Sequence, residues 1–162
     1  MKKYSWILIL ANLLLFLGIF NHSILKKEQL MEEGTLVLME LAPVDPRSLI
    51  QGDYMRLDYA LGREMAQDSI PSKGLCALEI DRWGVARSIR YIQGPEELGT
   101  GELPIKYSRR SRGSIRFGAE SYFFQEGKAE NFEGARYGGI RLDGKGNTLL
   151  VGLFDENLQK LE

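Results

Sequence analysis

The run Trp6–Phe20, WILILANLLLFLGIF, restricts the possible folds of this chain more than any other stretch. With His22 neutral, every residue from Tyr4 to Leu25 is uncharged. As a helix the dense run covers roughly 22 Å and residues 4–25 about 33 Å, against a hydrocarbon core about 30 Å thick. Tyr4 and Trp6 fall at one interface as aromatic anchors. The sequence therefore predicts one transmembrane helix over 4–25, a cytoplasmic tail over 1–3 and a charged juxtamembrane linker over 26–34. Lys26–Glu33 (KKEQLMEE) reads as a helical continuation into water, stopped by Gly34.

Two other uses of such a run compete. A cleaved signal peptide would explain Lys2 and Lys3, but cleavage needs small residues three and one before the cut, and Asn21 with Ser23 fit poorly. A buried core helix is the other. No Cys closes the run, which excludes a lipoprotein anchor. Lys2 and Lys3 before the span nearly balance Lys26 and Lys27 after it, and Glu28, Glu32 and Glu33 count little. A short tail ahead of an early apolar segment stays inside. That places the remainder, 35–162, in the periplasm or cell exterior, on a single-pass protein of the inner (cytoplasmic) membrane.

Beyond Gly34 the dominant period is two. Strands are expected over Thr35–Leu41, Asp53–Leu61, Leu75–Asp81, Val85–Ile92, Ile105–Tyr107, Ser114–Phe124, Arg136–Leu142 and Thr148–Phe154. Arg82-Trp83-Gly84 and Asp143-Gly144-Lys145-Gly146-Asn147 read as hairpin turns. Leu61–Ser69 reads as a short helix and Lys128–Phe132 as a single turn. The expected fold is mainly β, an antiparallel sandwich- or barrel-like domain behind one transmembrane helix. An α+β variant with one helix on a curved sheet stays open. The lone cysteine, Cys76, permits no internal disulfide. It shares a face with Leu78 and Ile80, as a small buried thiol would.

In Gly52-Asp53-Tyr54-Met55-Arg56-Leu57-Asp58-Tyr59, alternation puts Asp53, Met55, Leu57, Tyr59 and Leu61 on one face. Tyr54, Arg56, Asp58 and Ala60 take the other. The pattern Gly-Asp-Tyr-x-x-Leu-x-Tyr resembles the signature of the bacterial GDYXXLXY protein family. Arg116–Glu133, with its aromatic pair and later Glu-Gly, is loosely similar to the same family. The resemblance implies a small single-span protein, associated in genomes with polytopic membrane proteins. It supplies no catalytic residues.

Candidate contact or structural residues are Asp45, Arg47, Gly52, Asp53, Tyr54, Leu57 and Tyr59. Pro46 pushes Asp45 toward extended backbone, so Asp45 can accept N–H bonds in a turn while Arg47 projects beyond it. Arg47 with Asp53 or Asp58 would make an Arg–carboxylate pair. Glu126 and Glu133 are candidate partners for Arg47 or Arg56. Lys106, Arg109, Arg110, Arg112 and Arg116, spaced by Ser and Gly, read as an exposed basic loop suited to lipid head groups or an acidic partner. One His and one Cys exclude a usual zinc site, no phosphate-binding glycine loop occurs, and no cofactor is expected. The net charge of −1 gives no general attraction to nucleic acid.

The expected role is a non-enzymatic accessory or assembly subunit of an integral membrane protein, held to the bilayer by its helix. A tethered domain meets membrane partners at high effective concentration. Asn12 and Gly18 suit helix–helix contact. An envelope small-molecule binding or sensing module is the alternative. A signal-peptidase-like hydrolase is weaker, since no Ser stands in a recognisable nucleophile context outside the anchor.

Overall fold

The computed structural model describes residues 5–42, 50–51, 54–65, 70–109, 115–125 and 127–162. The first helix, α1 (Ser5–Glu33), runs unbroken through the apolar run and the charged linker. Ten strands follow among the described residues: β1 Thr35–Glu40, β2 Ile50–Gln51, β3 Tyr54–Arg56, β4 Lys73–Ile80, β5 Ala86–Ile92, β6 Glu102–Arg109, β7 Ile115–Arg116, β8 Ser121–Phe123, β9 Tyr137–Leu142 and β10 Thr148–Phe154. Between them lie one short helix, α2 (Ala60–Met65), and 3₁₀ turns at Pro95–Glu97 and Ala129–Phe132.

The chain is mainly β. Its antiparallel sheets have the orders β1-β9-β10, β2-β3-β8 and β5-β4-β6-β7. They form a half-barrel around one core that takes Val37 and Met39 from β1, Cys76 and Leu78 from β4, Ile105 from β6, and Ile140 and Leu153 from the final hairpin. A parallel bridge Leu38↔Val85 and an antiparallel bridge Leu41↔Tyr59 join the sheets.

α1 stands apart from that core. Over its most apolar window none of the helix is buried, and it is long and apolar enough to cross a membrane. Trp6 is 78% exposed, Leu8 71% and Phe16 62%. Only near its end does α1 dock: Leu30 is buried, and the helix touches β9 and β10. Arg141 Nη1 donates to the Gly34 carbonyl at 2.6 Å, tying the helix exit to β9.

Several elements differ from the sequence reading for identifiable reasons. The strand expected over Asp53–Leu61 is regular only through Arg56, and α2 begins at Ala60. Leu57 and Tyr59 remain extended partners, through Leu57 N–H to Glu120 C=O at 2.9 Å and the Leu41 bridge. The inward face therefore persists: Met55, Leu57, Tyr59 and Leu61 are all buried. The strand expected over Ser114–Phe124 splits at Gly118, whose φ is +86°. There the Glu120 carboxylate accepts the N–H groups of Phe117 and Gly118, drawing the backbone out of the ladder. β6 begins three residues before Ile105 and includes Pro104, opposite Ala77. β7 covers only Ser108 and Arg109, so among the described residues Pro104 has no ladder partner on its far side and the missing N–H is tolerated.

Cys76 is fully buried, with Sγ 3.5 Å from Met65 Sδ. Burial pushes its thiol up to about 12. A maleimide should leave Cys76 unmodified in the native chain at neutral pH and label it completely in denaturant. Equal rates in both states would contradict this packing.

The β9–β10 turn is held by Asp143. Its Oδ1 accepts from Lys145 N–H at 2.9 Å and Asn147 N–H at 2.8 Å, and its Oδ2 from Asn147 Nδ2 at 2.6 Å. Gly146, at φ +78°, then accepts the Lys106 N–H on its carbonyl at 2.9 Å. An added Cβ there would stand 3.0 Å from that same nitrogen, so glycine permits the close approach to β6. Burial alone would raise the Asp143 carboxyl, but bonds from Asn147 and Lys145 and the charge of Lys106 outweigh it and lower it. A lowered folded value stabilises above the unfolded value of about 3.9 and is lost as pH falls through the folded one. Asp143→Ala should therefore cost about 1–2 kcal/mol at neutral pH. The gap between the two unfolding curves should close progressively below about pH 4. A gap unchanged at low pH would show that the carboxylate charge contributes nothing.

Candidate functional site

Among the described residues the Gly-Asp-Tyr-x-x-Leu-x-Tyr motif is a joint between sheets. Tyr54 starts β3, paired with Gln51 of β2 on one side and Phe123 of β8 on the other. Leu57 and Tyr59 then turn into the core, 3% and 2% exposed. The Tyr59 hydroxyl donates to the Ala119 carbonyl at 2.5 Å, and its ring meets Phe117 edge-on at 6.0 Å. On the other side Gly138 of β9 is close enough that a Cβ would lie 3.0 Å from the Tyr59 ring. One side chain thus touches β9 and the 117–119 bend, while the Tyr59 backbone bridges Leu41 just past β1. Burial first, and the Glu120 charge second, raise the Tyr59 hydroxyl far above its ordinary range, so it remains a donor.

Glu120 was not singled out by sequence. The available signal was an acidic residue two places after a glycine, a pattern that satisfies bend N–H groups. Asp58 is partly exposed and pairs with Arg63 at 2.8 Å, a local contact across the start of α2. Asp45, Arg47, Gly52 and Asp53 lie outside the described residues, as does any pairing of Arg47 with Asp53 or Asp58. Glu126 lies outside them too. No ion pair joins Arg56 to Glu133 among the described residues.

The basic cluster is not one exposed loop. Lys106 and Arg109 belong to β6 and Arg116 to β7, in the registers Ser108↔Arg116 and Arg109↔Ile115. The pleat puts Lys106 and Arg116 on one face and Arg109 on the face of buried Ile105 and Tyr107. Lys106 Nζ donates to Asn147 Oδ1 at 2.8 Å, which binds it to the β9–β10 turn. Lys106 and Arg116 fall in the strands expected over Ile105–Tyr107 and Ser114–Phe124, and Arg109 joins them because β6 runs on past Tyr107 along β4. Arg110 and Arg112 lie outside the described residues.

A family model of GDYXXLXY proteins matches residues 16–153. The chain belongs to the GDYXXLXY protein family. No curated protein and no solved structure matches it. The match begins within α1 and ends in β10, so this GDYXXLXY protein carries the family's features across both the helix and the β domain.

For this GDYXXLXY protein the second half of the namesake motif has a physical reading. Leu57 and Tyr59 are the residues that lock three parts of the domain together. Phe132, also buried, meets Tyr122 edge-on at 5.2 Å and Phe124 at a tilt at 5.5 Å, continuing the core beneath β8. Among the described residues no group of three or more His, Cys, Asp and Glu converges to hold a metal.

Proposed function

We propose that this protein is a single-pass component of the cytoplasmic membrane whose β domain stands on the outer side. In this reading it serves, without catalysis of its own, as an accessory or assembly subunit of an integral membrane partner. The observation that carries the reading is the bare helix. Its Leu, Ile and Phe side chains are exposed all round, and an apolar surface of that extent belongs in lipid or against another membrane helix. Gly18 has no atom within 4 Å of an added Cβ, which leaves that face open to close helix approach. Asn12 offers a hydrogen bond in a medium where alternatives are few. The tether confines the domain to a thin layer above the bilayer and raises its encounter rate with membrane partners.

The test is a crosslinked pull-down from native membranes, using the tagged full-length chain with a photo-crosslinker at Gly18. A discrete adduct with one integral membrane protein, lost when the crosslinker is moved to the opposite helix face, is expected. Only self-adducts, or none, would overturn the accessory role.

A further inference from the structure

The hairpin turn between β4 and β5 points to a second membrane contact. Leu38 N–H donates to Gly84 C=O at 2.8 Å, and Leu38 and Val85 form a parallel bridge. Because the pairing is parallel, residues ahead of Val85 lie toward residues ahead of Leu38. The turn 81–84 is therefore at the same end of the domain as the exit of α1.

At that end Trp83 is 57% exposed and the neighbouring Leu36 37%. The Arg82 guanidinium lies over the Trp83 ring, 3.8 Å from its centroid. The turn is rigidly built. Asp81 Oδ1 accepts from Trp83 N–H and Val85 N–H, each at 2.9 Å, and its Oδ2 from Arg87 at 2.6 Å. Asp81 is thereby matched by Arg87, and among the described residues no ion pair engages Arg82 beside the indole. Among the described residues the Trp83 indole N–H donates to nothing.

The α1 exit at that end stands close to the apolar segment. The domain packs on α1 at Leu30, five residues past Leu25, or about 7 Å of helix beyond the apolar segment. The head-group layer on each side of a bilayer is about 5–7 Å thick. An exposed tryptophan with a stacked arginine suits that layer, where the indole finds both apolar contact and hydrogen-bond acceptors.

We propose that Trp83 and Arg82 seat the base of the β domain in the phospholipid head-group layer beside α1, fixing the domain's tilt. This contact rests on the anchored reading above. The test uses full-length chain reconstituted in phosphatidylethanolamine–phosphatidylglycerol vesicles. In Trp6→Phe, Trp83 is the sole tryptophan; in Trp83→Phe, Trp6 is.

The expected result is a blue-shifted Trp83 emission, quenched by lipid labelled near the head group and protected from aqueous iodide. Trp6 should be quenched by bilayer label as well. Trp6 quenched while Trp83 stays open to iodide would overturn the contact and leave the anchor standing. Trp6 unquenched would overturn the anchor and the contact together. Trp83 exposed in vesicles but protected in native membranes would overturn lipid in favour of a protein partner.

Discussion

Tyr59→Ala is expected to destabilise the β domain by about 3–5 kcal/mol, the range for removing a buried aromatic side chain. That is a large share of a typical domain stability of about 5–15 kcal/mol. The loss is large because one side chain links β9 to the 117–119 bend: its ring lies against Gly138 and Phe117, and its hydroxyl satisfies Ala119. Tyr59→Phe keeps the ring and removes the donor, stranding the buried Ala119 carbonyl at a cost of about 1–3 kcal/mol. Urea unfolding of the full-length chain in detergent, read by exposure of the Cys76 thiol, separates the two. A Phe variant as damaged as the Ala variant would assign the effect to the hydrogen bond alone. A harmless Ala variant would remove the motif's structural role.

The same side chain sets an alkaline limit. Burial, with a further contribution from Glu120, holds the hydroxyl protonated in the folded chain. Stability from this source is intact below the unfolded value of about 10 and falls above it, as the unfolded chain gives up a proton the folded one keeps. In Tyr59→Phe that part of the alkaline decline should disappear.

The second large effect concerns α1. Arginine at the centre of a spanning helix costs about 2.5–3.5 kcal/mol. Leu14→Arg with Leu15→Arg should therefore disfavour insertion by about 5–7 kcal/mol, roughly four orders of magnitude in the equilibrium. The protein should leave the carbonate-resistant membrane fraction. Its β domain should unfold at an unchanged urea concentration, because none of the apolar window packs on it. Retention in membranes would show that the helix is not what holds the chain there. A shifted unfolding midpoint would show that it is part of the domain.

The fold was legible in the sequence where one physical signal dominated. Two-residue alternation placed Met55, Leu57, Tyr59 and Leu61 inside even though the strand stops at Arg56 and a helix takes over at Ala60. Burial selects the face, whereas tertiary pairing sets where the strand ends. The Asp143–Asn147 turn was legible because Asp and Gly state their own local geometry. The length of β6 was not, since Pro104 argues against a strand unless its far side is known to be unpaired. Arg109 shows the same limit: it takes its place from the continuation of β6 along β4, which leaves no mark in the Ser and Gly spacing that follows Tyr107. Of the motif, the physical role of Leu57 and Tyr59 is now clear, and the base of the domain gained a feature, Arg82 over Trp83, that a turn signal alone conceals.

The proposed arrangement places α1 in lipid and the β domain on the outer side. Its direct measurement is labelling of Thr100→Cys, an exposed site, in a Cys76→Ala background with a membrane-impermeant maleimide on sealed right-side-out vesicles. Full labelling before permeabilisation is the predicted result. Labelling only after the vesicles are opened, or recovery of the chain from the soluble fraction without its apolar helix, would contradict it.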